Sequence, residues 1–276
     1  MPELPEVETS CRGIAPHIQG QQIERVTVRQ RQLRYPVSAQ ITTRKLKKQQ
    51  VTNVSRRGKY VLLELDNTNW LMIHLGMSGN LRILRSTKAA DKHDHVDIEF
   101  TNQKILRLND PRRFGCLLWT DDLSSHKLLK HLGVEPLTRQ FNPKMLYQAA
   151  QSRKIAIKTL LMDSQLVVGV GNIYANEALF QTSIHPSTYC HTLTKTQCAE
   201  LTRVIKIILK QAIKAGGTSL KDFTNSDGKP GYFKQKLFVY GRTKEACLKC
   251  KTPIQQFRQN QRSSFFGPSC QPEQKN

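Results

Sequence analysis

The residues best suited to chemistry stand at the start of the chain, which begins MPELPEVET. Removal of Met1 leaves Pro2 with a free secondary amine, a group that no internal residue carries. An unperturbed α-amine titrates near about pH 8, so much of it is unprotonated and nucleophilic at neutral pH, and its attack on an electrophilic carbon yields an iminium ion. The acids Glu3 and Glu6 follow, and the residues alone leave two interpretations of this stretch open: a disordered tail or a reactive terminus. An acid such as Glu6 in a first helical turn can simply stabilise the helix dipole.

A second candidate site lies near the C-terminus, where Cys247 and Cys250 have C-x-x-C spacing and Cys270 follows. Two such pairs on a hairpin form a zinc ribbon, in which four thiolates surround the metal as a tetrahedron. The position expected for the fourth ligand is Gly267, which has no side chain. The residues therefore leave two interpretations open: a zinc site with three cysteine ligands, or a metal-free hairpin held by Phe257, Phe265 and Phe266.

Three further motifs fit contacts with an anion. The glycines of VVGVGNIYANE (167–177) precede a predicted helix, where backbone N–H groups bind negative charge, although the motif alone favours a tight turn between helices. DPRRFG (110–115) puts arginines beside a phenylalanine on a predicted turn, and RRGKY (56–60) is a second basic turn. Arginine binds phosphate and an aromatic ring can wedge between bases, whereas the structural alternative is a solvated turn.

Composition supports a polyanionic partner. The 276 residues carry a net charge of +22, from 43 Lys and Arg against 21 Asp and Glu. Such an excess is typical of proteins that bind nucleic acid. The sequence has no apolar run long enough to span a bilayer and no signal-peptide pattern at its start, so we expect no membrane association and a cytoplasmic, nucleoid-associated protein.

Hydrophobic patterning predicts an N-terminal β domain, a helical middle and a small C-terminal module. We expect a short helix over 3–19 and β-structure over 22–120, where HVDIEF (95–100) alternates as a half-buried strand does. After about residue 121 the pattern is helical, and Thr194 with Gln197 predicts a capping box at the start of the longest helix. The segments expected to be helical are 123–133, 142–152, 155–164, 172–183 and 194–215.

Nine motifs, taken in order along almost the whole chain, closely resemble those of bacterial formamidopyrimidine-DNA glycosylases. They are MPELPEVET, RRGKY, HLGMSGNLRI, KHDHVD, NDPRRFG, VVGVGNIYANEALF, GGTSLKDF, DGKPGYF and VYGR before C-x-x-C. The related endonuclease VIII enzymes normally begin Pro–Glu–Gly–Pro–Glu, and Leu4 favours the purine-lesion family. The resemblance implies an α+β multidomain fold: an N-terminal β-sandwich (1–130), a helix–two-turn–helix domain (131–237) and a C-terminal zinc-finger-like β-hairpin (238–276). It also implies one Zn²⁺, a monomer, and double-stranded DNA with oxidised bases or abasic sites as partner.

The resemblance further implies roles for individual residues. The expected catalytic residues are Pro2, Glu3, Glu6, Lys59 and Arg262, the expected void-filling residues are Met77, Arg112 and Phe114, and the expected zinc ligands are Cys247, Cys250 and Cys270. The expected DNA contacts are His93, Arg112, Arg153, Lys158, Asn172, Lys221 and Tyr240, and residues 218–236 are expected to form a loop that closes over the everted base. From the residues alone, Met77 is better interpreted as a core residue.

The implied activity is removal of oxidised purines followed by cleavage of the abasic strand. Two alternatives remain: an endonuclease VIII-like enzyme for oxidised pyrimidines, and a non-catalytic DNA-binding protein that retains the fold.

Overall fold

The computed structural model describes residues 2–37, 44–85, 88–216 and 237–273, so the predicted loop at 218–236 and Lys221 lie outside the described residues. The chain forms two compact units. The first comprises Met1–Lys130 together with residues from Ile213, and the second comprises His131–Ala212 together with the C-terminal segment. The division of the chain into three domains at the predicted boundaries stays a prediction.

The predicted N-terminal helix is present as α1 (Leu4–Ile18). Pro5 lies in its first turn, where a missing N–H costs no hydrogen bond. Val7, Cys11 and Ile14 lie on one face and are buried, as their helical spacing predicts. This face packs against the first unit's strands and fixes the start of the chain on the domain.

Two antiparallel sheets make up the rest of the first unit. Their orders are β1-β6-β7-β5 and β2-β3-β4-β8, and one hydrophobic cluster joins side chains of both sheets and of α1. This arrangement confirms the expected β-sandwich. The strands are β1 (Ile23–Val28), β2 (Val51–Arg57), β3 (Tyr60–Leu65), β4 (Trp70–His74), β5 (Asn80–Arg85), β6 (Asp94–Phe100), β7 (Lys104–Asn109) and β8 (Cys116–Thr120).

Strand β6 is buried on both faces, so the prediction of a half-buried strand was wrong. Asp97 is 1% exposed, and its two carboxylate oxygens accept hydrogen bonds from Nε and Nη2 of Arg107, at 2.7 and 2.8 Å. Arg29 adds a third bond at 2.6 Å. Alternating polarity indicates a solvated face only where the polar side chains have no charged partners. Here arginines from neighbouring strands pair with Asp97 and cover that face of β6.

Ionic pairing also sets the protonation of this carboxyl. Burial acts to raise the pKa of Asp97, but the hydrogen bonds and charges of Arg107 and Arg29 outweigh it and hold the pKa below its ordinary 3.8. The paired carboxylate therefore stabilises the fold above about pH 4, and this contribution is lost as the pH falls below that value.

The second unit contains helices α2 (Pro143–Gln151), α3 (Ile157–Leu161), α4 (Asn172–Gln181) and α5 (Lys195–Lys214), and a hairpin of β9 (Gln255–Gln259) and β10 (Arg262–Phe266). The predicted capping box is present, since the Thr194 N–H donates to Gln197 Oε1 at 2.9 Å and the Gln197 N–H to Thr194 Oγ1 at 3.1 Å. None of the described helices is long and apolar enough to cross a membrane.

The predicted helix over 123–133 was wrong. The segment forms successive turns, in which the Leu128 N–H donates to the His126 ring at 3.3 Å and Ser124 binds the Asp122 carboxylate at 2.7 Å. Side chains that bond nearby backbone groups compete with helix formation, and this segment is rich in them.

We predict that Asp97→Asn destabilises the protein by about 3 kcal/mol at neutral pH, because it leaves the buried Arg107 charge without its main partner. Urea unfolding followed by circular dichroism measures this. Glu99→Gln is the matched control on the same strand, since Glu99 pairs with Arg25, whose side chain is 69% exposed, and little change is expected. The stability difference between wild type and Asp97→Asn should shrink as the pH falls below about 4; a difference that is constant with pH contradicts the assignment.

Candidate active site

The start of α1 is ordered and buried. Pro2 is buried, and Glu3 and Glu6 are 1% and 0% exposed. Glu6 Oε2 accepts a hydrogen bond from the backbone N–H of Glu3 at 2.8 Å, as part of a capping box at the helix start. Glu6 thus fixes the backbone that directly follows the Pro2 amine. This contact supports the structural alternative for Glu6, and proton transfer by Glu6 stays a prediction.

Glu8, to which sequence reasoning gave no role, connects α1 to the turn that carries Lys59. Arg56 Nε donates to Glu8 Oε2 at 3.1 Å, and Arg56 Nη1 donates to the Gly58 carbonyl at 2.8 Å. Arg12 binds the other Glu8 oxygen at 2.8 Å. Burial acts to raise the pKa of Glu8, but the two guanidinium groups outweigh it and keep the pKa low, so the linking carboxylate is ionised.

A neutral histidine stands beside the same turn. Burial, with the charges of Arg34 and Lys59, lowers the pKa of His74 to about 4. The unprotonated Nδ1 accepts a hydrogen bond from the Gly76 N–H at 3.0 Å, and the His74 ring lies 4.8 Å from the ring of Tyr60. His74 therefore holds the backbone just before Met77.

The three predicted void-filling residues lie on two turns of this unit. Met77 is half-buried, so it is not the core residue that its chemistry alone would favour. Phe114 is 47% exposed, and the exposed Arg112 places its guanidinium carbon 4.9 Å from the Phe114 ring centroid. An exposed aromatic ring with a stacked guanidinium can insert into a base stack. His93, a predicted DNA contact, is half-buried, and its carbonyl accepts the Asp110 N–H at 3.0 Å.

In the second unit, two of the predicted DNA contacts hold the hairpin. Lys158 is 2% exposed, and its Nζ donates to the Ser263 carbonyl at 2.8 Å and to Ser264 Oγ at 2.7 Å. Asn172 Nδ2 donates to the same Ser263 carbonyl at 3.0 Å. Helices α3 and α4 therefore fix β10, and a direct DNA contact by either residue stays a prediction.

Arg262 is exposed and stands where the hairpin turn ends. The two turn residues Asn260 and Gln261 have φ of 46° and 61°, which matches the left-handed pair of a type I′ turn. Arg262 also borders a cleft of about 310 Å³, lined by Ile155, Lys158, Thr159, Met162, Asp163, Gln259 and Asn260. The Arg262 charge thus lies at the end of a tight turn, and the strand that follows is held by both Lys158 and Asn172.

The other two predicted contacts of this unit are both half-buried. The Arg153 carbonyl accepts from the Cys190 thiol at 3.0 Å, and the Tyr240 ring packs edge-on against Phe265 with centroids 4.9 Å apart. The backbone N–H of Tyr240 donates at 2.9 Å to Glu177, a buried carboxylate that sequence reasoning missed. Glu177 also accepts from Phe238 and Val239, so it anchors the chain where it enters the hairpin module.

The three C-terminal cysteines fit one zinc ion. Their sulfur atoms all lie within 4.8 Å of one another, and the Sγ atoms of Cys247 and Cys270 are 3.9 Å apart. A Zn–S bond of about 2.3 Å in a tetrahedron sets sulfur atoms about 3.8 Å apart. The cluster therefore offers three corners of a tetrahedral site.

The fourth corner is not offered by residue 267. A Cβ on Gly267 would lie 3.1 Å from Cε2 of Phe180 and 3.6 Å from Cβ of Cys270. The Gly267 N–H instead donates to Gln271 Oε1 at 3.1 Å, and Gln271 Nε2 donates to the Ile184 carbonyl at 2.7 Å. The hairpin also has apolar packing of its own, around Phe180, Val239, Ile254 and Phe265.

Comparisons with known proteins agree with this geometry. Residues 1–117 match the formamidopyrimidine-DNA glycosylase N-terminal domain, and residues 132–224 match the formamidopyrimidine-DNA glycosylase H2TH domain. The chain is 54% identical over 271 residues to the formamidopyrimidine-DNA glycosylase of Proteus mirabilis, with 98% of each sequence covered. It has the same identity to the enzyme of Escherichia coli O6:H1, covering 98% of this chain and all of that one.

Solved structures of lower identity share the whole fold. A Lactococcus lactis Fpg mutant bound to Fapy-dG-containing DNA superposes with a TM-score of 0.91 at 32% identity, covering 99% of this chain and 100% of that one. The L. lactis enzyme bound to abasic-site DNA gives 0.90 at 33% identity, covering 98% and 100%. The family models, the full-length relatives and the shared fold lead to one conclusion: this chain belongs to the formamidopyrimidine-DNA glycosylase family.

Proposed function

We propose that the protein is a bifunctional DNA glycosylase and abasic-site lyase of base excision repair, which removes oxidised purines such as 8-oxoguanine and formamidopyrimidines. The observation that carries the proposal is the ordered helix start, where Pro2 is buried directly before the two buried carboxyl groups of Glu3 and Glu6. A disordered tail would not bury these acids. A terminal amine held beside proton-transfer groups supports covalent catalysis.

The first step is attack of the Pro2 nitrogen on C1′ of the damaged nucleotide. A bond forms between nitrogen and C1′, the bond from C1′ to the base breaks, and the proton lost by the amine passes to the departing base. Glu3 protonates the sugar ring oxygen as the ring opens, which leaves an iminium ion between Pro2 and C1′. Glu6 holds the Glu3 backbone in place through its 2.8 Å hydrogen bond.

The iminium ion makes the C2′ proton acidic, so strand cleavage can follow. Loss of that proton expels the 3′ phosphate by breaking the C3′–O bond, and a second elimination expels the 5′ phosphate. Lys59 is the proposed proton donor in elimination, and Arg262 binds the phosphates that flank the lesion and assists the second step. Hydrolysis of the remaining iminium ion consumes one water and frees Pro2. One nucleophile thus accounts for both base removal and β,δ-elimination.

The proposed partner is double-stranded DNA that carries oxidised bases or abasic sites. A base that is turned out of the duplex leaves a gap, which Met77, Arg112 and Phe114 fill, and Arg112 contacts the orphaned cytosine. His93, Arg153, Lys158, Asn172, Lys221 and Tyr240 are proposed as further DNA contacts. The net charge of +22 supports affinity for the phosphate backbone and an association with the nucleoid.

Cys247, Cys250 and Cys270 are the proposed protein ligands of one structural Zn²⁺. When bound, the metal cross-links the two ends of the hairpin module. Lys158 and Asn172 fix β10 through Ser263 independently of the cysteines. The hairpin that presents Arg262 therefore has two separate supports.

We predict that sodium borohydride traps wild-type protein as a covalent adduct on a duplex with 8-oxoguanine opposite cytosine, because it reduces the iminium ion. The matched control has one serine inserted before Pro2, which makes the proline internal and removes its amine. This control should bind the duplex but form no adduct on denaturing gels. An adduct with the control would identify a different nucleophile.

The same experiment separates the two alternatives. Binding by wild type without any adduct would favour a non-catalytic DNA-binding protein. Faster cleavage of duplexes with 5-hydroxycytosine or thymine glycol than of the 8-oxoguanine duplex would favour an endonuclease VIII-like enzyme. Leu4 leads us to expect the opposite order.

We predict about one zinc per chain in purified protein, and near none in Cys250→Ser, because two thiolates remain. Elemental analysis by mass spectrometry measures this, and Cys198→Ala, at a buried cysteine outside the cluster, should keep its zinc. Chelation should remove the metal without loss of the circular dichroism signal, because the hairpin keeps its apolar packing. Metal-free wild-type protein, or full zinc content in Cys250→Ser, contradicts the ligand assignment.

A further inference from the structure

The two turns that carry the proposed void-filling residues lie side by side because of strand register. One turn (75–79) connects β4 to β5 and carries Met77, and the other (110–115) connects β7 to β8 and carries Arg112 and Phe114. Each turn passes from one sheet to the other. Strand β4 pairs with β8, where His74 is opposite Cys116, and β5 pairs with β7, where Asn80 is opposite Asn109. Both ends of the first turn are therefore paired with both ends of the second.

A buried carboxylate joins these turns. Asp110 is 0% exposed, and its Oδ1 accepts a hydrogen bond from Ser78 Oγ at 2.8 Å while its Oδ2 accepts from the Gly115 N–H at 2.7 Å. Ser78 Oγ also accepts the Arg112 N–H at 3.2 Å. One side chain thus fixes both ends of the 110–115 turn and links it to the turn of Met77. Charge-assisted hydrogen bonds of this kind are among the stronger ones in proteins.

Close backbone packing makes this linkage rigid. A Cβ on Gly76, which has φ of 62°, would lie 2.4 Å from both the Gly115 nitrogen and the Phe114 carbonyl carbon. A Cβ on Gly115 would lie 2.7 Å from the His74 carbonyl oxygen. The backbones of the two turns are in direct contact, so a change at one is transmitted to the other. Arg113 has φ of 57°, a left-handed conformation that the fixed ends of its turn impose.

We propose that Asp110 and Ser78 are positioning residues, which set the spacing of Met77, Arg112 and Phe114 and thereby determine how well the enzyme reads the base opposite the lesion. This inference rests on the proposed function. Neither residue belongs to the proposed catalytic set. Hydrogen bonds that lock the rotamers and backbone around functional side chains are what makes a site precise.

The test uses full-length protein with Asp110→Asn, Ser78→Ala and, as matched control, Asp66→Asn in the exposed β3–β4 turn. Single-turnover excision of 8-oxoguanine is measured opposite cytosine and opposite adenine, and cleavage of a preformed abasic site is measured in single-stranded DNA. The single-stranded substrate has neither a gap in a duplex nor an orphaned base. It therefore reports the Pro2 chemistry without the void-filling turns.

Loss of one hydrogen bond leads us to expect about three- to tenfold slower excision opposite cytosine in Ser78→Ala. We expect a loss of at least about tenfold in Asp110→Asn. Its NH2 group either faces the Gly115 N–H, donor against donor, or faces Ser78 Oγ and removes the acceptor of the Ser78 hydroxyl proton. The preference for cytosine over adenine should narrow in both variants, while cleavage of single-stranded abasic DNA and all rates of Asp66→Asn stay at the wild-type value. Ser78→Ala keeps the proposal testable if Asp110→Asn fails to fold.

Two outcomes overturn this inference and leave the proposed function standing. In the first, the folded variants keep the wild-type preference for cytosine. In the second, they lose excision and single-stranded cleavage in equal proportion, as a general loss of structure would cause. A wild-type protein that cleaves neither substrate overturns the proposed function and this inference with it. A 2-aminopurine base placed opposite the lesion gives a second measurement. Its fluorescence increase on binding, which reports unstacking, should be smaller in both variants than in Asp66→Asn.

Discussion

A nucleophile at the end of a chain can work only if that end is held still. Chain termini are normally poorly ordered unless something fixes them. Here α1 supplies the fixation, since Leu4, Val7 and Ile14 are all fully buried. The ion pair from Glu8 to Arg56 then joins the same helix to the turn of Lys59. Burial of one helix face therefore makes Pro2, the proposed nucleophile, part of an ordered domain.

Charge is distributed unequally between the inside and the outside of this protein. Several of its few acids are internal, where Asp97, Asp110 and Glu177 accept hydrogen bonds that organise the backbone or pair with arginine. The acids that serve structure are thus removed from the surface. The exposed surface is left with cations such as Arg112 and Arg262, which suits a polyanionic partner.

The sequence predicted elements whose signals are local. Capping at Thr194, the apolar face of α1 and the β-structure expected over 22–120 all correspond to elements of the structure. It failed where distant partners decide the outcome. Asp97 looks solvated until Arg107 from the next strand is placed against it, and the segment 123–133 looks helical until its Asp122 and His126 side chains bond their own backbone.

The site residues also divide into those with a local sequence signal and those that depend on distant partners. Residue types and ordered motifs led to the prediction of Pro2 and Glu3 as reactive groups, and the C-x-x-C spacing predicted the cysteine cluster that the structure brings together. Asp110, Ser78 and Glu8 could not be found in this way, since each acts through a contact with a residue that is distant in sequence. Lys158 was predicted to contact DNA, but only the structure reveals that its amine supports the hairpin.

The contact between Gly267 and Phe180 has a consequence for the metal site. A single change that restores a cysteine at 267 would push its first side-chain carbon to 3.1 Å from the aromatic ring contributed by α4. A cysteine at 267 therefore requires the Phe180 ring to shift by a few tenths of an ångström, next to a backbone amide that Gln271 already holds. The room for a fourth thiolate thus depends on a helix of the second unit as well as on the hairpin itself.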